Sequence, residues 1–149
     1  MALIELIEKK VIKIPLISRN KSDVLKELVD ILVETGKIED ADTVLRDVLK
    51  REEMGSTGLE EGIAVPHAKT DAVKTLTVAI GISPAGIDFE ALDGKPSQLF
   101  FLLLAPPSQV GPHIEALSDI ARMTKSKTFI RLLTAAKNAE EVEGLFKED

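Results

Sequence analysis

The stretch "SQLFFLLLA", residues 97–105, restricts how this chain can fold more than any other. After Gln98 no polar residue alternates with the apolar ones, so a strand formed here has no side that suits water. Such a strand needs cover on both faces, which places it in the middle of a sheet between layers of helices. Its apolar core, "LFFLLLA" (99–105), is far too short to span a bilayer. "TLTVAIGI" (75–82) is the other strong strand, with shorter ones expected at "VIKIP" (11–15), stopped by Pro15, and "GIAVP" (62–66). "SPAGIDFEALDGKP" (83–96) reads as a turn-rich connection.

Helices fill the remaining chain. Asn20 is placed to cap one whose apolar positions Val24, Leu25, Leu28, Ile31 and Leu32 share a face, with Gly36 ending it. Asp40 or Asp42 caps a second, with Val44, Leu45, Val48 and Leu49 inward and Gly55 as its stop. "PPSQVGPH" leads into a third, with Pro112 near its first turn and Ile114, Leu117, Ile120 and Ala121 at helical spacing. Ser126 caps a short helix carrying Phe129, Ile130 and Leu133. Asn138 with Glu141 opens a final one carrying Val142, Leu145 and Phe146. Strands interleaved with helix pairs predict an α/β fold: a three-layer sandwich with helices on both faces of a mixed sheet.

Composition narrows the function. The 149 residues, 44% hydrophobic and 30% charged, suit one soluble domain over 1–149 with a sizeable core. A net charge of −6, no basic run and 3% aromatic residues leave nucleic-acid binding without its electrostatic footprint or its stacking surface. With no cysteine, disulfides, thiolate metal sites and cysteine nucleophiles are excluded. The start, "MALIELIEKKVIK", is too short and too acidic for a signal peptide, so a cytoplasmic protein without direct membrane insertion is expected.

Two histidines remain as candidate chemistry. His67, in "EEGIAVPHAKTD", follows a strand and the conformationally fixed Pro66, where binding groups gather in α/β folds. A solvent-exposed turn histidine is the plainer alternative. His113 opens an amphipathic helix, whose partial positive charge attracts anions and favours a neutral imidazole; a partly buried helix-start histidine is the alternative there. Arg51 ends the second helix, where it suits the helix dipole or an ion pair with a nearby glutamate as well as an anion. "GSTG" (55–58) offers Ser56, Thr57 and Gly58 to a phosphate, without the lysine and glycine spacing of a Walker loop. No "HExxH", carboxylate–histidine pairing or nucleophile elbow is present, so neither metal hydrolysis nor a serine triad is supported. Spacing alone supports an anion or phosphate site and no more.

"REEMGSTGLEEGIAVPHAK" (51–69) resembles the active-site segment of the enzyme IIA domains of the phosphoenolpyruvate-dependent phosphotransferase system, in the fructose/mannitol/nitrogen-regulatory family. "FEALDGKPSQLFFLLLAPPSQVGPHIEALSDIARM" (89–123) resembles the later strand and histidine-bearing helix of the same family. The resemblance implies the mixed sheet flanked by helices already expected. It implies that His67 is a phosphohistidine, that Arg51 and His113 attend its phosphoryl group, and that Thr57 lies in the segment lining the phosphate. The donor would be an HPr-like phosphocarrier, and the acceptor an enzyme IIB domain on a separate chain or, in the regulatory members, a set of target proteins. Enzyme IIB domains of this kind use a phosphorylated cysteine, which this sequence lacks. No cofactor and no metal is implied. One departure stands out: the family's "IGHG" or "IGNG" is "LEEG" here, so Glu60 and Glu61 add negative charge beside a segment expected to receive an anion.

Overall fold

A computed structural model describes residues 3–147. One mixed sheet forms the middle layer, in the order β1 (Ile12–Lys13), β4 (Thr77–Ile87), β5 (Ser97–Ala105), then β2 (Ile63–Ala64) with β3 (His67–Lys69) following it along β5. β1 runs parallel to β4, β4 antiparallel to β5, and β2 and β3 both parallel to β5. Phe100, Leu102 and Leu104 of β5 face one side and Leu99, Phe101 and Leu103 the other, all of them fully buried. That is the two-sided burial the uninterrupted apolar run demands.

Helices α2 (Lys21–Glu34) and α3 (Ala41–Glu53) cover the first side. Helices α4 (Val110–Met123), α5 (Lys127–Thr134) and α6 (Ala139–Lys147) cover the second, with the short α1 (Leu3–Leu6). The caps are those expected: Asn20, Asp40, Ser126 and Asn138 each accept, through a side-chain oxygen, the backbone N–H three residues on. Gly36, with φ 75°, closes α2 in the left-handed conformation that glycine adopts without strain. No helix among the described residues is long and apolar enough to cross a membrane.

Five expectations need correction. The strand expected over 11–15 pairs only through Ile12 and Lys13. β4 continues through Pro84 and Gly86 to Ile87, rejoining β5 at Ser97 after a register shift, so much of the expected connection is irregular strand. "GIAVP" is interrupted: pairing stops after Ala64 and resumes at His67, which therefore begins a strand rather than sitting in a loop. The inward face of α4 is His113, Ala116 and Ile120, while Ile114 is 59% exposed and Ala121 is also outside. Leu49 of α3 likewise faces out.

Candidate functional site

His67 is partly buried at the start of β3, opposite Leu103 of the central strand. Its Nδ1 lies 2.8 Å from the carbonyl oxygen of Val65. A carbonyl only accepts, so this contact puts the proton on Nδ1 and leaves Nε2 with a free lone pair. Pro66 helps to make the contact available. It fixes the backbone between Val65 and His67, and its own carbonyl accepts from Leu103 N–H (3.0 Å), pinning the segment to β5.

His113 meets this imidazole from α4. The ring centroids are 5.6 Å apart at an interplanar angle of 75°. His113 is only 5% exposed, and its Nε2 is buried with no hydrogen-bond partner. Burial, then the neighbouring His67 and Lys69, hold its pKa below the usual 6.5, so the ring is neutral at pH 7. The direction matches the expectation from the helix start, but the main cause is loss of water.

Arg51 lines the same cleft, which has a volume of about 590 Å³. Its Nη1 donates to the carbonyl of Gly55 (3.0 Å), tying the guanidinium to the turn that ends α3 rather than to a glutamate. Lys50 and Lys69 add positive charge to the walls, and Met54, Val110 and Ile114 form an apolar rim. Met54 is 81% exposed, unusual for so large an apolar side chain. A second cleft of about 610 Å³, lined by Glu5, Glu8, Lys37, Glu39 and Lys74 among others, contains neither histidine and no arginine.

The "GSTG" residues do something else. Ser56 Oγ donates to Phe89 O (3.0 Å) and accepts from Gly58 N–H (3.0 Å). The Thr57 hydroxyl and N–H both donate to the buried carboxylate of Glu52. Gly58 is pressed against Ala91, where an added Cβ would lie 2.9 Å from the Ala91 Cα. None of the three lines the cleft. Both hydroxyls are taken up by internal acceptors, so these residues build the wall beside the site instead of offering donors to a phosphate.

Glu60 and Glu61 also stand apart. Residues 57–65 form a hairpin: Leu59 N–H reaches Ile63 O (2.7 Å), and Val65 N–H reaches Thr57 O (3.0 Å). Glu61 (φ 62°) and Gly62 (φ 76°) supply the consecutive positive φ values that a tight hairpin turn of the I′ kind requires. Ile63 pairs with Leu99 and His67 with Leu103. The turn is therefore more than about 13 Å along the strands from the imidazole. Glu61 instead approaches Lys127 at 4.0 Å.

Glu52, the acceptor for Thr57, is not among the candidates read from the sequence. Val44, Val48 and Glu52 recur every fourth residue and share the buried face of α3. A carboxylate continuing an apolar stripe was the available signal.

The model of the family described as "Phosphoenolpyruvate-dependent sugar phosphotransferase system, EIIA 2" matches residues 5–149. The chain belongs to this EIIA family. It is 36% identical over 142 residues to the fructose-specific EIIABC component of Bacillus subtilis, matching 95% of this chain but spanning only 22% of that much longer relative. It is 37% identical to the fructose-specific EIIA component of Haloferax volcanii, over 86% of this chain and 83% of that one. Among solved structures, the nitrogen regulatory protein IIA-Ntr of Neisseria meningitidis superposes with a TM-score of 0.88 at 32% identity, covering 97% of this chain and 99% of its own. Family membership supports, in general terms, a phosphoryl-transfer role for the chain.

Proposed function

We propose that this EIIA protein is a phosphohistidine carrier, taking a phosphoryl group from an HPr-like phosphocarrier onto Nε2 of His67 and passing it to an enzyme IIB domain. The observation that carries this reading is the Nδ1 contact to Val65 O, which leaves Nε2 as a lone-pair nucleophile in an open cleft. In the first step the Nε2 lone pair bonds to phosphorus as the donor's phosphorus–nitrogen bond breaks, returning that electron pair to the donor's imidazole. The His67 proton stays on Nδ1, where the Val65 carbonyl offsets the positive charge the ring acquires. In the second step a thiolate of the acceptor attacks phosphorus and restores the Nε2 lone pair.

Arg51 meets the charge on the phosphoryl oxygens, and the buried Nε2 of His113, as a neutral N–H donor, finds in them the acceptor it otherwise lacks. The apolar rim of Met54, Val110 and Ile114 suits the docking of a partner protein, in a cytoplasmic setting, and the net charge of −6 favours a basic partner face. The name of the Bacillus subtilis relative joins A, B and C components, which supports an enzyme IIB as acceptor. Incubation with phosphoenolpyruvate, enzyme I and HPr, followed by intact mass, tests the proposal. The wild type gains one acid-labile phosphoryl group, and a phosphorylated His67→Ala variant would sink it.

A second reading has its own support in the IIA-Ntr match at 32% identity over 97% of the chain. There, charge on the same histidine controls binding to target proteins rather than sugar uptake. Transfer to a fructose-type enzyme IIB favours transport, and failure with every enzyme IIB favours regulation.

A further inference from the structure

Glu52 is an unusual residue to find on the buried face of α3. The residue is 9% exposed, and its carboxylate is paired at 2.8 Å with Lys21 of α2, whose ammonium also stands 4.8 Å over the Phe89 ring. A buried ion pair is a poor stabilising device, because desolvation offsets much of the attraction. It does supply a fixed acceptor of definite direction. Glu52 spends that capacity on Thr57, taking its N–H at 3.2 Å to both oxygens and its hydroxyl as well.

Thr57 then holds what the sheet leaves loose. Val65 lies in the break between β2 and β3, and its N–H is bonded to Thr57 O at 3.0 Å. The Val65 carbonyl is the group that accepts from His67 Nδ1 at 2.8 Å. Three consecutive links, Glu52 to Thr57, Thr57 to Val65 and Val65 to His67, thus run from the helix to the imidazole. The same grip fixes the start of the turn, where Gly55 O accepts from Arg51. The links join different peptide groups, so they act by position rather than by relayed polarisation.

We infer that Glu52, anchored by Lys21, is a positioning residue that sets both the tautomer of His67 and the seat of Arg51. The inference rests on the phosphoryl-carrier reading of His67 for its consequence, but not for its geometry. Loosening the link frees the Val65 carbonyl, lets the His67 proton exchange between the two ring nitrogens, and removes part of the nucleophilic Nε2 population.

Two isosteric variants test it: Glu52→Gln, which removes the charge facing Lys21, and Thr57→Val, which removes the hydroxyl. Thr57→Ser restores the hydroxyl as the conservative partner. Two readouts are taken. Long-range proton–nitrogen NMR of the unphosphorylated protein, at a pH where His67 is neutral, reports its tautomer. Steady-state uptake from phospho-HPr separates kcat from KM. The wild type is expected to show the Nδ1–H form, and Glu52→Gln and Thr57→Val to show averaged ring nitrogens. Their kcat is expected to fall roughly tenfold with KM unchanged, and Thr57→Ser to recover most of the loss. Wild-type tautomer and kcat in folded Glu52→Gln would overturn the inference. If that variant does not fold, the same result in Thr57→Val overturns it, as does an Nε2–H wild type. Should the wild type take up no phosphoryl group, the carrier reading fails, while the tautomer comparison still decides the positioning role.

Discussion

Replacing His113 with leucine should make the protein more stable and less active. His113 is almost fully buried, and its Nε2 has no partner. An unsatisfied buried polar group costs about 1–3 kcal/mol. Leucine is similar in length, favours helix by a few tenths of a kcal/mol over histidine, and brings no such group. Against this, the edge-on ring contact with His67 at 5.6 Å is lost, and an aromatic pair of this kind is worth about 0.5–1.5 kcal/mol. The balance is a gain of about 1 kcal/mol at pH 8, where the His113 ring is neutral, or a rise in Tm of about 2–4 °C. The gap should widen in acid. The folded pKa of His113 lies below the usual 6.5, so the unfolded chain binds the proton first. Wild-type stability is therefore lost as pH falls below about 6.5, by at most about 1.4 kcal/mol per pH unit, until the folded pKa is reached. The leucine variant lacks that loss. Urea unfolding at about pH 8 and about pH 5.5, with the m value checked for constancy, measures both effects. Phosphoryl uptake should fall about 10²-fold, as when one preorganised donor is removed. A variant less stable than the wild type at pH 8, or a gap that shrinks in acid, would show that His113 is a satisfied core residue and not a donor waiting for an oxyanion.

Gly58→Ala should destabilise by about 1–2 kcal/mol in urea unfolding: overpacking against Ala91 exceeds the entropy gained in the unfolded chain. A neutral or stabilising result would mean that the hairpin wall yields freely. Arg51→Lys keeps the charge but loses the planar fork, so uptake from phospho-HPr should drop about 10²-fold while Tm barely moves; wild-type kinetics would remove Arg51 from the site. Asn138→Ala should lower stability by about 1 kcal/mol through the lost α6 cap, with phosphoryl uptake intact, and a change in uptake would reveal a coupling absent from the contacts described above.

Much of this architecture was legible because it rests on strong local signals. The central strand follows from "SQLFFLLLA", and the helix starts from Asn20, Asp40, Ser126 and Asn138. What escaped was decided by tertiary context. The face of α4 was misread because Ile114 looks like a core residue, whereas it stands exposed and His113 is the side chain turned inward. The break in "GIAVP" was hidden because the sequence shows Pro66 but not that Thr57 would hold Val65 in place of the sheet. The hydroxyls of Ser56 and Thr57 looked free because their acceptors, Phe89 O and Glu52, become neighbours only on folding. Glu60 and Glu61 looked close to His67 in sequence, yet extended chain carries them away from it.

The proposed transfer requires the phosphoryl group on one particular nitrogen. Nitrogen-15 and phosphorus NMR of the protein phosphorylated through HPr resolves this directly. The bond of Nδ1 to Val65 O leaves one nucleophilic position, so phosphorus is expected on Nε2 of His67, with Nδ1 still protonated. Phosphorus on Nδ1 of His67, or on either nitrogen of His113, would contradict it.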